Sequence, residues 1–154
     1  MNIAGEIQVS AAREAVYKAL SDAPFFASCI EGVSDLKEID PTHYTAVLET
    51  RIAYLHFKFK ADVEITELSP PEKIEAKVEG MPLGIVGRLT ATATTQLVES
   101  GSQTIIRYSI DATLTGKLGS MGQPVLKSKA KQMEKYFTAR LFAAFAGGGP
   151  GSET

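Results

Sequence analysis

Apolar and polar residues alternate with a period of two over most of the chain from residue 33 to residue 114. The clearest run begins at Leu55, where each apolar residue through Ile65 is followed by a polar or charged one. This pattern is typical of strands with one buried and one solvated face. Together with the turn residues between the runs, it predicts strands at 3–9, 33–39, 44–52, 55–66, 74–78, 85–98 and 104–114.

A period of 3.6 residues marks the helices. The segment AAREAVYKAL at 11–20 follows Ser10, a favourable N-cap, and a short second helix with Pro24 in its first turn is predicted to end at Gly32. The last helix is predicted to run unbroken from Gly119 to Phe145, about 40 Å long. Its apolar stripe consists of Leu126, Ala130, Met133, Phe137, Leu141 and Ala144.

This order of elements predicts the architecture. Six consecutive antiparallel strands must curl, and their apolar concave face needs a cover that only the last helix is long enough to supply. We therefore expect an α+β fold in which a curved antiparallel sheet of about seven strands, in the order β-α-α-β6-α, wraps around a long C-terminal helix. One domain is predicted at 1–146, and the tail GGGPGSET at 147–154 is expected to be flexible.

Composition narrows the class of protein. The 154 residues are 44% hydrophobic and 22% charged, as in an ordinary globular protein. A single cysteine, Cys29, cannot form an internal disulfide, and no charged-then-apolar leader or run of about 18 apolar residues occurs. We expect a cytoplasmic protein. The formal net charge of −2 gives no reason to expect nucleic-acid binding.

The charge is unevenly distributed. Residues 117–146 carry five lysines and one arginine against one acid, and Lys127, Lys131 and Lys135 lie opposite the apolar stripe of the last helix. Such a face suits an anionic membrane surface or an acidic partner. A solvated helix face with no partner explains the same pattern, so both interpretations remain open.

The stretch TGKLGSMGQPVL at 115–126 is rich in glycine although a helix follows it. Gly116 is predicted to turn the chain, and Gly119 and Gly122, three residues apart, are predicted to lie on nearly one side of a helix. Opposite them, the sixth predicted strand offers Gly87, Ala91 and Ala93. Because interiors pack densely, the space between two such small-residue surfaces must be filled. Either a ligand fills it, or side chains do, namely Phe25, Phe26, Phe57 and Phe59.

Motifs of catalysis are missing from the sequence. His43 lies beside a turn, His56 lies on the polar face of a strand, and neither has metal-ligand spacing. Cys29 has no nearby histidine and is interpreted as a small buried residue. No nucleophile elbow, phosphate-binding loop or dinucleotide fingerprint occurs. We therefore assign no catalytic residue and no metal ligand.

Four short motifs occur in a specific order. They are GEIQV at 5–9, SDAP at 21–24 leading to CIEG at 29–32, LSPP at 68–71, and GKLGSMG at 116–122. Over residues 2 to about 145 the chain resembles the G-subunit family of carbon monoxide dehydrogenase, within the START-like (SRPBCC, helix-grip) superfamily. It departs from the family pattern at Glu31, commonly proline, and at Gly119, commonly alanine. Neither departure removes a catalytic group, because the family has no established catalytic motif.

The resemblance implies a bacterial accessory protein that binds an apolar ligand between sheet and helix. The ligand would be an isoprenoid quinone or lipid, with no covalent cofactor. The partner would be a molybdenum hydroxylase of the carbon monoxide dehydrogenase type. The protein would aid membrane recruitment or electron delivery at the inner face of the cytoplasmic membrane, with Lys127, Lys131 and Lys135 as the membrane or partner face. The expected cavity lining is Phe25, Phe26, Leu55, Phe57, Phe59, Ile85, Gly87, Leu89, Ala91, Tyr108, Leu118, Met121, Gly122, Val125, Met133 and Phe137.

An enzyme is the alternative, because START-like folds also include cyclases and dehydratases of hydrophobic small molecules. Such an enzyme needs a polar group inside the fold, and Arg88, Tyr108 and His56 are the candidates. Alternation along the strands places Arg88 and His56 outward and leaves Tyr108 as the best inward polar group.

Overall fold

The computed structural model describes residues 1–146, and the tail predicted to be flexible lies outside the described residues. The elements follow the predicted order. They are β1 (Asn2–Val9), α1 (Arg13–Leu20), α2 (Ala23–Ser28), β2 (Val33–Asp40), β3 (His43–Ile52), β4 (Leu55–Ser69), β5 (Lys73–Pro82), β6 (Gly87–Ser100), β7 (Gln103–Thr115), α3 (Gly116–Gly119) and α4 (Gln123–Ala146).

The strands form one antiparallel sheet of seven, in the order β1-β7-β6-β5-β4-β3-β2. Strands β2 to β7 pair with their neighbours in sequence, as short hairpin connections favour. Strand β1 closes the far edge by pairing with β7, with Gly5 opposite Tyr108 and Ile7 opposite Ile106. The predicted curved sheet with a long C-terminal helix is confirmed.

Two groups of buried side chains hold the helices on the sheet. The α1 cluster lies between α1, the C-terminal half of α4 and the β1–β7–β6 side of the sheet, and consists of Ile7, Val9, Val16, Tyr17, Leu20, Leu97, Ile106 and Leu141. The α3 cluster lies where α3 and the start of α4 meet β3 and β4, and consists of Ile52, Phe57, Phe59, Leu118 and Leu126. The helix α4 therefore crosses the sheet with one half in each cluster.

Two strand boundaries differ from the prediction. Strand β5 does not end before Gly80 but continues to Pro82, which lies opposite Phe59. Proline is tolerated there because it is the last residue of the strand. Strand β6 begins at Gly87 and not at Ile85, so Ile85 lies in the preceding loop and is exposed.

The helix boundaries also differ. The predicted single last helix is two helices, because Gly122 adopts a left-handed φ of +89° between α3 and α4. Ser10 is not the N-cap of α1, which begins at Arg13, because the Thr104 hydroxyl donates a 2.8 Å hydrogen bond to the Ala11 carbonyl and holds this segment on β7. Helix α2 ends at Ser28, before Gly32. Ala144, the last residue of the predicted apolar stripe, is exposed, whereas its neighbour Phe145 is half-buried and packs on the α1 cluster.

Candidate ligand-binding site

The inner face of the central strands is apolar, small and only partly covered. Inward residues along β6 run from Leu89, which packs on the α3 cluster, to Leu97 in the α1 cluster. Between them lie Ala91, Ala93 and Thr95, all half-buried. The same partial exposure is found at the inward positions of the neighbouring strands, namely Ala61, Val63, Ala76 and Val78.

The position of α4 explains this exposure. The helix backbone comes close to β1 at one end of the domain and to β3 at the other, and it approaches the central strands less closely. Small side chains on β5 and β6 cannot reach across the remaining distance. The structure therefore leaves an apolar concave surface between the two clusters.

The phenylalanines lie at the two ends of this surface. Phe57 and Phe59 stack with ring centroids 5.7 Å apart in the α3 cluster. Phe26 meets Phe137 edge-on with centroids 5.6 Å apart, and both pack on the α1 cluster beside Phe25. The side chains expected to compete with a ligand thus fill the ends of the interior, while alanine and valine line the middle.

One polar pair reaches into the interior. The Tyr108 hydroxyl on β7 donates a hydrogen bond to the Glu134 carboxylate on α4, and both side chains are half-buried. Burial, and then the bonded carboxylate, raise the pKa of Tyr108 well above its ordinary value. The prediction that Tyr108 points inward is confirmed. Glu134 was not predicted, although it lies four residues after Ala130 and three before Phe137, beside the apolar stripe.

A second phenol, that of Tyr44, also belongs to the inner face. Tyr44 has the same parity along β3 as Ala46 and Ile52, which are buried, and it lies opposite Val63 of β4. Burial raises the pKa of Tyr44. Within residues 1–146 its hydroxyl forms no direct hydrogen bond, so it is available to a ligand oxygen.

The other two polar candidates point outward, as alternation predicted. Arg88 is exposed on the outer face of β6. His56 is exposed on β4, and its Nε2 lies 3.4 Å from a carboxylate oxygen of Glu49. Neither side chain reaches the interior.

The structure distributes the expected lining residues over three places. Phe25, Phe26, Tyr108 and Phe137 pack on the α1 cluster, whereas Leu55, Phe57, Phe59, Leu89, Leu118, Met121 and Val125 belong to or pack on the α3 cluster. Ala91 lies between the clusters, and Met133 is half-buried on α4. Ile85 is displaced to an exposed loop. Which of these residues contact a ligand stays a prediction.

The glycines near α3 determine the local backbone structure. A Cβ at Gly119 would lie 2.6 Å from the Leu114 carbonyl oxygen, so this glycine permits the close approach of α3 to β7. Gly87 and Gly116 pair across a bridge, where a Cβ on Gly87 would lie 2.8 Å from the Thr115 carbonyl oxygen. The prediction that Gly119 and Gly122 share one side of a helix is wrong, because Gly122 lies between the helices in a left-handed conformation.

A groove of about 570 Å³ runs along the outside of the domain between β1 and α4. Its lining includes Ile7, Glu134, Lys135 and Phe142. A smaller groove of about 330 Å³ lies beside Lys73 and Leu97. None of the expected cavity residues lines either groove.

The basic face predicted on α4 is present. Lys127, Lys131 and Lys135 are exposed, and Glu134, the one acid of this segment, is turned toward Tyr108 and away from them. The contact of this lysine face with a membrane or a partner protein stays a prediction.

Comparison with known proteins identifies the family. The sequence model of CoxG, the G-subunit of carbon monoxide dehydrogenase, matches residues 5–144. The chain belongs to the CoxG family. No curated protein matches the sequence. Residue roles in this CoxG chain therefore rest on its own geometry.

Solved structures show the same fold. A conserved protein from Geobacillus kaustophilus is 27% identical with a TM-score of 0.86, and the match covers 94% of each chain. A START superfamily protein from Mycobacterium smegmatis is 12% identical with a TM-score of 0.68, over 93% of this chain and 95% of that one. A protein from Chromobacterium violaceum is 18% identical with a TM-score of 0.69, over 93% and 95%. The predicted helix-grip fold is confirmed.

Membership of the CoxG family supports an accessory role with binding of a hydrophobic ligand, and it indicates no catalytic role. Among residues 1–146, no group of three or more His, Cys, Asp and Glu side chains is placed to bind a metal ion. No helix in the described part of the chain has both the length and the apolar character needed to cross a bilayer.

Proposed function

We propose that this CoxG protein carries one apolar molecule between α4 and the inner face of β5 and β6. One observation carries the proposal: Ala91 and Ala93 face inward between two well-packed clusters and yet stay only half-buried. Protein interiors normally leave few voids larger than a water molecule. An apolar surface in this position is what a hydrophobic ligand would complete.

The ligand we propose is an isoprenoid quinone or a similar lipid. An isoprenoid chain suits the alanine and valine surface, and the phenol of Tyr44 offers a hydrogen-bond donor to a head-group oxygen. The Tyr108 hydroxyl already donates to Glu134. The family description names a subunit of carbon monoxide dehydrogenase. We therefore propose a molybdenum hydroxylase of that type as the partner, and electron delivery or membrane recruitment as the role, at the inner face of the cytoplasmic membrane.

The exposed lysines of α4 remain a candidate contact for this proposal. Lys127, Lys131 and Lys135 present three positive charges on one helix face. A membrane of anionic lipid and an acidic protein surface would both attract them.

Native mass spectrometry of the purified chain, followed by organic extraction, tests the carrier proposal. The expected result is an adduct that organic solvent releases as an isoprenoid quinone or lipid, or uptake of added decylubiquinone by an empty chain. The variant Ala91→Phe fills the proposed space and should lose the ligand. Thr92→Phe, on the opposite face of the same strand, should keep it. A chain of bare mass that takes up neither decylubiquinone nor a fatty acid would overturn the proposal.

A further inference from the structure

Four large apolar side chains are exposed at one end of the domain. Tyr54, in the turn between β3 and β4, is 85% exposed, and Val86, in the loop between β5 and β6, is 86% exposed. Leu83 and Ile85 of the same loop are also exposed. Single exposed apolar residues are ordinary on protein surfaces, but several on adjacent tips indicate an interaction site.

Backbone contacts place the two loops at the same end of the sheet. The Leu83 amide donates a 2.8 Å hydrogen bond to the carbonyl of Lys58, four residues after Tyr54 on the adjoining strand. The Val86 carbonyl accepts a 3.1 Å hydrogen bond from the amide of Lys117 in α3. We call this surface the loop end; it consists of residues 53–54, 83–86 and 116–122.

The strand ends that carry these loops are basic. Four exposed cations flank the loop end, namely Arg51, Lys58, Lys60 and Arg88, and a fifth, Lys117, lies within it. One carboxylate in these strand ends is that of Glu49, which lies 3.4 Å from His56 and pairs in register with Lys58. The next outward-facing carboxylates, Asp62 and Glu79, lie farther from the loop end. Among the described residues, none of the five cations forms an ion pair. The whole chain has a formal net charge of −2, so the loop end is a basic surface on an otherwise acidic protein.

We propose that the loop end inserts into the surface of an anionic lipid bilayer. Two convex tips offer little area to a protein partner, since a stable interface buries roughly 800 Å² on each side. Inserted about 5–10 Å into the boundary between head groups and acyl chains, the same tips would bury all four apolar side chains. The five cations would then lie at the level of the anionic head groups, where lysine and arginine are attracted.

This inference rests on the proposed carrier function and gives it a membrane contact distinct from the lysine face of α4. The α3 cluster, with Leu118 and Phe57, lies directly beneath the loop end. A domain seated by this end would hold the nearer end of its apolar interior against the bilayer. A ligand could then pass between bilayer and protein with little exposure to water.

Tryptophan fluorescence locates the contact directly, because the chain contains no tryptophan. Tyr54→Trp in the full chain is titrated with vesicles of equal parts phosphatidylcholine and phosphatidylglycerol. The expected result is a blue shift of the emission and quenching by brominated acyl chains. Ile39→Trp is the matched control, since Ile39 is 67% exposed near the turn at the opposite end of the sheet. Its emission should not change.

Co-sedimentation with the same vesicles measures the contribution of each group. The double variant Tyr54→Ser/Val86→Ser should lower the partition coefficient about tenfold, because both apolar contacts are lost. Lys58→Glu/Lys117→Glu should lower it by at least as much and reduce its dependence on salt. Lys127→Glu/Lys131→Glu on α4 tests the lysine face separately. The matched charge control is Lys18→Glu/Lys77→Glu, at two exposed lysines on α1 and β5, which should leave binding within about twofold of the unmodified chain.

Three results would overturn the inference. They are failure of the unmodified chain to bind anionic vesicles, loss of binding only in the α4 charge variant, and self-association of the chain that the Tyr54/Val86 double variant abolishes. The carrier proposal is tested independently, because its result is the identity of the extracted ligand and not the binding of vesicles. If the chain yields an isoprenoid lipid but binds no vesicle, the carrier proposal stands and the membrane contact of the loop end is wrong. If the chain binds vesicles but carries no apolar ligand, the membrane contact stands and the carrier proposal is wrong.

Discussion

The Tyr108 hydroxyl on β7 donates a hydrogen bond to the carboxylate of Glu134 on α4. Both side chains are long, so the bond links helix and sheet without bringing the two backbones together. Gly5, the strand partner of Tyr108 on β1, leaves room for the pair. This bond therefore fixes the position of α4 above a sheet whose central strands it does not cover.

Tyr108→Phe should destabilise the domain by about 1.5–3 kcal/mol, the usual contribution of a hydrogen bond to a charged group. The substitution keeps the ring in the α1 cluster and leaves the Glu134 carboxylate without its donor. Urea unfolding followed by circular dichroism measures the change. Tyr54→Phe, at an 85% exposed tyrosine, should be neutral. Equal stability of both variants would show that the bond contributes nothing.

The burial of Tyr108, together with its bond to Glu134, predicts an alkaline limit of stability. The pKa of Tyr108 is raised in the folded state above its ordinary value of 10.0, so above that pH the folded state holds a proton that the unfolded state has lost. Stability is therefore fully present below pH 10 and falls as pH rises toward the folded pKa, by about 1.4 kcal/mol per pH unit for one proton. Urea unfolding between about pH 9 and 11 should show a shallower decline for Tyr108→Phe. Tyr17 and Tyr44, whose pKa values are also raised, are common to both proteins and cancel in the comparison.

Gly5→Ala should destabilise the domain by about 1–3 kcal/mol, although alanine is normally preferred to glycine within a strand. The new Cβ would lie 2.7 Å from the Glu134 carboxylate and 2.8 Å from the Tyr108 hydroxyl. In a Tyr108→Phe background the cost should fall by more than half, because the ring is no longer tied to the helix. Gly80→Ala on β5 is the control, since its Cβ would meet the Leu89 side chain at 3.3 Å and should cost little. A similar loss at both glycines would contradict this account of Gly5.

Much of the fold is predictable from the sequence because its strands are amphipathic. The alternation from Leu55 to Ile65 specifies both the strand and its inner face, since a shift of one residue would bury every charge. Strand ends are less predictable. Gly80 and Pro82 are residues typical of a break in a strand. Pro82 is nevertheless compatible with the last position of β5, because the pairing of Val78 with Val63 has already set the register of the strand.

The interior polar pair shows where reasoning from the sequence stops. A glutamate among lysines is expected to be solvated, and only the position of Tyr108 across the fold turns Glu134 inward. The predicted pairing of two small-residue surfaces failed for a local reason, since Gly122 is required for a left-handed backbone. Neither a left-handed φ nor a contact between β7 and α4 follows from periodicity, because both depend on how distant elements meet.

Gly119→Ala should cost about 1–3 kcal/mol despite the higher helix propensity of alanine. Its Cβ would lie 2.6 Å from the Leu114 carbonyl oxygen, which is held in β7 and cannot move freely. Gly122 is a glycine for a different reason, since a Cβ there has space but its φ is +89°. Asparagine tolerates such a φ, so Gly122→Asn should be mild and Gly119→Asn as harmful as alanine. Thermal unfolding ranks the stabilities of the three variants. If substitution of Gly119 left the unfolding temperature unchanged, α3 would be free to move away from β7.

Ala93→Leu tests whether the middle of the interior is unfilled. In a densely packed core, added methyl and methylene groups cost about 1–3 kcal/mol because neighbours must shift. Ala93 is half-buried and lies opposite Ala76, so a leucine there should find apolar space, and stability should stay unchanged or rise. Uptake of decylubiquinone should fall in the same variant, because the side chain occupies the volume proposed for the ligand.

Ala112→Leu is the matched control on the next strand. Ala112 also faces inward but is only 5% exposed, and the same added groups should destabilise the domain by the full amount expected for a packed core. Urea unfolding of both variants distinguishes an interior with unfilled space beside Ala93 from one that side chains already fill. Destabilisation at Ala112 alone supports a space beside Ala93 that a ligand completes, whereas equal destabilisation at both positions means that protein side chains already fill it.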